Sequence, residues 1–488
     1  MSAPGALFNW IGGSAVAARS GRTLPVYEPA TGQAYTTLPD SGPMDVEAAV
    51  QAAERSSAGW ARQAPEDRAR LLERMADLIE ARLEEFALAE SRDTGKPLSL
   101  ARRVDIPRAV SNFRFFASQL RALPGESVDG GPGRMHVVLR QPLGVVGCIS
   151  PWNLPLYLLS WKLAPALAAG NTVVAKPSEI TPYTATLLAA LSADAGLPPG
   201  VLNLVHGLGS QVGTPLTTAP QVKAVSFTGS TATGRLIASA TAPQFKKLSL
   251  EMGGKNPTIV FADCDFERTV AECVRAAFSN QGQICLCGSR ILIEKPLFER
   301  FRAAFVERVQ ALKVGDPLEP GTDQGAVVSQ AHFDKVMGCI ALAREEGGRV
   351  LTGGDRVRLD GRCADGWFIA PTVFDYLPFD CRTNQDEIFG PVVTLSAFDD
   401  ETQALLFANG TVYGLAASVW TRDLDRAQRF VAGLKAGLVW INCWMERDLR
   451  VPFGGVKQSG LGREGGLEAM RFFTEAKSAS FVFSPESP

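Results

Sequence analysis

Histidine is nearly absent from this chain. Among 488 residues there are three, His136, His206 and His332, and none stands beside a cysteine or another histidine at metal-ligand spacing. Cys285 and Cys287 form a lone C-x-C with no second pair. The spacing therefore gives no support to a structural zinc site, and no metal is expected. A histidine-based hydrolytic centre gains no support either, so a carboxylate is the better candidate for base chemistry.

Charge of one sign is lacking too. Lys plus Arg number 49, Asp plus Glu 51, and the net charge is −2. That balance argues against a basic face that neutralises phosphates and against a polybasic membrane-surface protein, so neither a nucleic-acid nor a membrane partner is expected. Residues 1–10 carry neither the basic start nor the long apolar run of a secretory signal. The most apolar uncharged stretch, residues 141–161, is interrupted by Pro142, Pro151 and Pro155. It reads as buried strand, loop and helix start rather than as a membrane span. The nine cysteines are scattered and odd in number, the pattern of reduced thiols in a cytoplasmic protein.

What is present is a soluble globular composition, 46% apolar and 20% charged, long enough for about three domains. The first 40 residues read as strands and turns. Helices are expected over 45–63, 65–92 and 106–122, with a Gly/Pro break over 125–134 and a strand over 136–140. From residue 143, apolar runs at 145–149, 172–175, 201–205 and 224–227 alternate with helices at 156–169 and 182–195. Such alternation implies a parallel sheet with helices on both faces. A second alternating region spans 256–440, with helices at 266–278 and 296–312 and strands at 290–294 and 415–420. The tail, 476–483, alternates small and apolar residues and suits a strand added to a partner's sheet. No internal repeat is visible.

Five loops carry residues suited to chemistry. Phe278-Ser-Asn-Gln-Gly-Gln-Ile-Cys285 puts a thiol on a loop between helix and strand; the alternative is an inert buried cysteine, and Cys287 is the competitor. Leu250-Glu251-Met-Gly-Gly-Lys255 puts a carboxylate at a strand end before two glycines. Glu251 is the candidate general base, against a simple pair with Lys255. Pro151-Trp152-Asn153 follows an apolar strand, where Asn153 offers an amide to an oxyanion or merely fixes a turn. Lys176-Pro-Ser-Glu179 offers a grip on ribose hydroxyls or an ordinary ion pair. Phe227-Thr-Gly229-Ser230 offers a phosphate cradle or a helix cap, but it is neither G-x-G-x-x-G nor a P-loop.

Together with Glu387-Ile-Phe389-Gly-Pro391 and Pro452-Phe-Gly-Gly-Val-Lys, these runs resemble the NAD(P)-dependent aldehyde dehydrogenase superfamily, in its order and over essentially the whole chain. The resemblance implies an α/β fold with three parts. A Rossmann-type cofactor domain would cover residues 1–124 and 141–253, and a catalytic domain 254–458. A small β oligomerisation extension would cover 125–140 and 459–488, forming a homodimer or homotetramer. It implies that Cys285 attacks the aldehyde and that Asn153 and the Cys285 N–H hold the oxyanion. Glu251 would then activate the water that hydrolyses the thioester. Glu387 and Phe389 would flank the nicotinamide ribose, Lys176 and Glu179 the adenosine ribose, and Trp152, Gly229 and Ser230 the pyrophosphate. A carboxylate at Glu179 repels a 2′-phosphate, which favours NAD, while Lys176 leaves NADP open. Cys287 is given no role.

The segments Trp161-Lys162-Leu-Ala-Pro and Asn442-Cys-Trp444-Met-Glu446-Arg447 are most similar to the 2-aminomuconic and 2-hydroxymuconic semialdehyde dehydrogenase branch. Glu446 departs from its usual apolar pair. That likeness implies a carboxylate-bearing aldehyde substrate bound by Arg108 and Arg447. The alternatives are another semialdehyde or betaine aldehyde, a CoA-acylating relative, and a non-catalytic scaffold.

Overall fold

The computed structural model describes residues 5–483; residues 1–4 and 484–488, the outermost parts of the expected domains, lie outside the described residues. Two mainly parallel sheets organise the chain. In the first, Leu202–Leu204, Thr172–Lys176, Val145–Ile149, Val222–Thr228 and Lys247–Glu251 lie side by side in that order, all parallel. Numbered along the chain the order is 3-2-1-4-5, a doubly wound arrangement whose direction reverses between Val145–Ile149 and Val222–Thr228. A ligand crevice belongs at that reversal. These strands are almost wholly buried, which is why they read as unbroken apolar runs.

The second sheet places Thr372–Asp375, Val392–Phe398, Arg290–Glu294, Pro257–Val260, Ala416–Trp420 and Leu438–Ile441 in parallel, with Arg349–Thr352 antiparallel at one edge. A third, small antiparallel sheet joins Glu126–Asp129, Arg134–Pro142 and Thr474–Val482. The fold is α/β, as expected.

Three expectations need correction. Residues 65–92 are not one helix but two, Pro65–Ala81 and Leu83–Thr94, because Arg82 leaves helical geometry at φ −109°, ψ 25°. The apolar period runs through the break since Leu72, Met75, Ile79 and Phe86 all enter the same core. The break at 125–134 contains a strand, Glu126–Asp129, whose four side chains are exposed and leave no buried face to read. The segment 459–488 also divides. Gly460–Leu461 pairs antiparallel with Lys247–Glu251 in the first sheet, and helix Gly466–Phe472 sends Ala469 and Met470 into the same core as Leu72 and Phe86. Among the described residues only Thr474–Val482 of that segment joins the small sheet.

Candidate active site

The crevice forms where the order of the first sheet reverses. Trp152 and Asn153 follow Val145–Ile149, and Gly229 and Ser230 follow Val222–Thr228. Ser230 caps the helix Thr231–Thr241, its Oγ accepting from the Thr233 N–H at 3.2 Å. The Gly229 N–H donates to the Glu251 carbonyl at 3.0 Å. Lys176, buried at its strand end, donates to the Pro177 carbonyl at 3.0 Å and to Glu179 Oε2 at 3.1 Å. A cavity of about 570 Å³ is lined by Lys176, Glu179, Trp152, Gly229 and Ser230. The last three also wall a second cavity of about 270 Å³, which holds Asn153, Cys285, Glu387 and Phe389.

The loop that delivers Cys285 is wound in the left-handed sense. Asn280, Gln281 and Gly282 have φ of 52°, 57° and 70°. Gly282 is required there twice over, since a Cβ would strike the Gly390 carbonyl. Asn256 then pins the loop from below, its amide donating to the Cys285 and Cys287 carbonyls at 2.7 and 2.9 Å. Cys285 is half-buried and lines the cavity, whereas Cys287 is buried. Burial, then the charges of Glu387 and Glu251, push the Cys285 thiol up, against the pull of Arg447.

Glu251 ends its strand with the side chain buried and Oε1 without a hydrogen-bond partner. Burial raises its carboxyl well above the usual range, and Glu464 adds to the effect. The alternative pairing with Lys255 does not occur: the Lys255 amine is itself buried without a hydrogen-bond partner, and burial brings it down to about 7. Behind Glu251 lies a buried pair, Lys162 Nζ to Glu464 Oε1 at 2.7 Å, with Ser226 Oγ at 3.1 Å from the amine. Asn153 is also buried, and its amide donates to the Gln283 carbonyl at 2.9 Å.

Glu387 leans on the two glycines after Glu251. Its Oε1 accepts from the Gly254 N–H at 2.9 Å, and a Cβ on Gly253 would collide with its carboxylate. Burial pushes its carboxyl up to about 7. The Phe389 ring stands edge-on to Trp152 at 5.2 Å, and its carbonyl accepts from His332 Nε2 at 2.7 Å.

A family model described as the aldehyde dehydrogenase family matches residues 16–479. The chain belongs to the aldehyde dehydrogenase family. It is 49% identical to the 2-aminomuconic semialdehyde dehydrogenase of Danio rerio, over 97% of this chain and 98% of that one. It is 44% identical to the 2-hydroxymuconic semialdehyde dehydrogenase of a Pseudomonas strain, over 96% and 98%. Among solved structures, the indole-3-acetaldehyde dehydrogenase AldA of P. syringae, in complex with NAD+ and IAA, superposes with a TM-score of 0.95 at 38% identity, covering 98% and 96% of the two chains.

In this aldehyde dehydrogenase Arg108 and Arg447, far apart in the sequence, lie over the same two rings, Tyr157 and Trp161. Arg447 Nη1 donates to the Tyr157 hydroxyl at 2.8 Å, and its guanidinium lies 3.9 Å from the Phe453 ring centre. Arg108 sits over the same Tyr157 and over Trp161, at 5.4 and 5.7 Å. Both are half-buried, not surface side chains. Arg108 Nε and Nη2 have no hydrogen-bond partner. Glu446, the departure noted in the sequence, is exposed.

Sequence reasoning missed several neighbours of the site. His332 packs 4.9 Å from Trp152 and lines the smaller cavity; burial brings it down to about 4. Trp444 Nε1 donates to the Leu286 carbonyl at 2.9 Å, tying the Arg447 loop to the Cys285 loop. One signal was available for Lys162. It is the only charged residue in the helix Pro155–Ala168, whose every position is buried. Among the described residues no group of three or more His, Cys, Asp or Glu is placed to hold a metal ion, and no helix is long and apolar enough to cross a membrane.

Proposed function

We propose that this aldehyde dehydrogenase oxidises a carboxylate-bearing semialdehyde, 2-aminomuconate or 2-hydroxymuconate 6-semialdehyde, to the corresponding acid with NAD. The observation that carries the substrate is the free fork of Arg108. Its Nε and Nη2 form one edge of the guanidinium. Arg349 grips Asp375 with that same edge, Nε to Oδ1 at 2.9 Å and Nη2 to Oδ2 at 2.6 Å. A buried edge of this kind matches a planar carboxylate bidentately. The names of the relatives support the same class.

The residues fit NAD. The larger cavity offers a helix N-terminus at Ser230 for a pyrophosphate. Glu387 stands by the two glycines as a ribose acceptor, and Glu179 opposes a 2′-phosphate. When bound, NAD supplies the hydride acceptor. Cys285, once its thiol proton is given up, adds as the thiolate to the aldehyde carbon, and the Asn153 amide and Cys285 N–H hold the resulting oxyanion. After hydride loss Cys285 carries the acyl group as a thioester. Glu251, unpartnered at Oε1, takes the proton of the water that releases the acid. The buried Lys162–Glu464 pair stands behind it, Glu464 raising and Lys162 lowering its carboxyl. A CoA-acylating role is disfavoured by this buried carboxylate.

The small sheet leaves Val128, Met135, Leu139, Phe481 and Val482 exposed, which supports a homodimer or homotetramer assembled through it. All nine cysteines are free, which suits the cytoplasm. The test is a panel of aldehydes with and without carboxylates, assayed by NADH absorbance with NAD, NADP and added CoA. The expected preference is for carboxylated aldehydes with NAD, independent of CoA. Preference for uncharged or cationic aldehydes defeats the substrate assignment.

A further inference from the structure

Directly beneath Asn153 lies an ion cluster with no solvent exposure. The Lys96 ammonium donates to Asp105 Oδ2 at 2.6 Å and to the Asn153 main-chain carbonyl at 3.1 Å, with Glu90 Oε1 at 3.8 Å. Lys96, Asp105 and Glu90 are all 0% exposed. Glu90 Oε2 accepts from Thr184 Oγ1 at 2.9 Å and from the Leu156 N–H at 3.4 Å, so the cluster also holds the chain just past Asn153. From the opposite side, the amide of left-handed Asn280 donates to the same Asn153 carbonyl at 3.1 Å. One peptide group is thus gripped by a cation from the first domain and by an amide from the Cys285 loop.

Burying three ionisable groups is costly, and a well-packed apolar core would be at least as stable. The Asn153 carbonyl satisfies one of the three donors of the buried ammonium, and the same bond fixes the Asn153 main chain. An oxyanion donor works only when held within a few tenths of an ångström, and misplacement by about 1 Å costs on the order of 10²-fold in rate. Asn153 Nδ2 has an internal acceptor, the Gln283 carbonyl at 2.9 Å, so its orientation depends on where its own backbone is fixed.

We propose that Lys96, charge-balanced by Asp105 and Glu90, is a positioning residue for the reaction: it fixes the Asn153 main chain so that the Asn153 amide is aimed at the oxyanion formed on the Cys285-bound carbon. This rests on the reading of Asn153 as oxyanion donor.

The test is a double-mutant cycle on the full-length enzyme. Lys96→Met/Asp105→Asn removes the ammonium and its counter-charge together. Lys96→Met/Asp105→Leu, an apolar pair, is the second form if the first does not accumulate folded. Expected for either pair is a loss of about 10- to 100-fold in kcat for aldehyde oxidation, with the NAD dissociation constant within about twofold of wild type. Asn153→Ala alone is expected to lose on the order of 10²- to 10³-fold. In the Asn153→Ala background the Lys96 pair should cost no further factor beyond about twofold. An equal loss in both backgrounds, or no loss in the wild-type background while Asn153→Ala is impaired, overturns the inference. Full activity of Asn153→Ala overturns instead the reading of Asn153 on which it stands.

Discussion

The two ends of the crevice treat their ionisable groups differently. At the proposed cofactor end the ionisable groups have partners, Lys176 with Glu179 and the Pro177 carbonyl, Glu387 with the Gly254 N–H, His332 with the Phe389 carbonyl, while the Ser150 and Thr228 hydroxyls of the cavity that Lys176 lines have none. Among the residues proposed to serve the aldehyde, Glu251 Oε1 and Arg108 Nε and Nη2 have no partner. Buried polar atoms are nearly always paired, so an unpaired carboxylate or guanidinium edge is a candidate for meeting a reacting or recognised atom. The cofactor end is built to keep its shape, and the aldehyde end keeps its bonding capacity in reserve.

Four measurements bear on that contrast. The largest effect is expected from Cys285→Ala, which should lower aldehyde oxidation by on the order of 10⁴-fold or more while NAD binding, followed by protein fluorescence, persists. Cys287→Ala should remain within a few-fold, and a dead Cys287 variant would move the nucleophile. Next, Glu251→Gln should release about one NADH per site in a rapid burst and then turn over on the order of 10²- to 10⁴-fold more slowly. Wild-type turnover without a burst would place the base elsewhere.

Arg108→Ala should cost about 2–5 kcal/mol in kcat/KM for 2-hydroxymuconic semialdehyde and little for an uncharged aldehyde of similar length. Arg447→Ala should show the same selectivity with a smaller loss, since Tyr157 already engages Arg447. Equal losses on both substrates would make the arginines structural. The smallest effect separates the cofactor end. His332 is held neutral, brought down to about 4 from 6.5 by burial. The unfolded chain therefore binds its proton first, and stability is lost as pH falls from 6.5 toward 4. In urea unfolding, His332→Gln should lose less stability than wild type between pH 7.5 and pH 5, by about 2 kcal/mol. Parallel pH dependence of the two proteins would contradict the burial assigned to this ring.

The inner strands of the first sheet, and Arg290–Glu294 and Ala416–Trp420 of the second, were legible because a parallel strand buried on both faces writes itself as an apolar run; Thr372–Asp375, Val392–Phe398 and Leu438–Ile441 of the second sheet were not read. The loops that follow them were legible as motifs because backbone geometry there demands particular residues, Gly282 and Gly253 above all. Pairings across the chain were not. Lys162 and Glu464 are 302 residues apart, and nothing local in either says that they meet. The same holds for Lys96 under Asn153 and for His332 against Trp152. The break at Arg82 was hidden because both helices bury one continuous stripe. Arg108 and Arg447 came from family likeness, and local pattern would have left them as ordinary helix and loop cations.

The strand Gly460–Leu461 has a consequence during synthesis. It covers the edge of Lys247–Glu251, and Ser459 Oγ donates to the Gly253 carbonyl at 2.7 Å across a separation of 206 residues. At about 5–20 residues per second, a ribosome makes the covering strand some 10–40 s after the strand it covers. Through that interval the nascent chain carries Glu251 on an open β-edge, the kind of surface on which chains add to one another and aggregate. Glu251, the residue proposed to end the catalytic cycle, is thus among the last to be enclosed, and a chaperone that shields this edge would protect the yield of folded enzyme more than its activity.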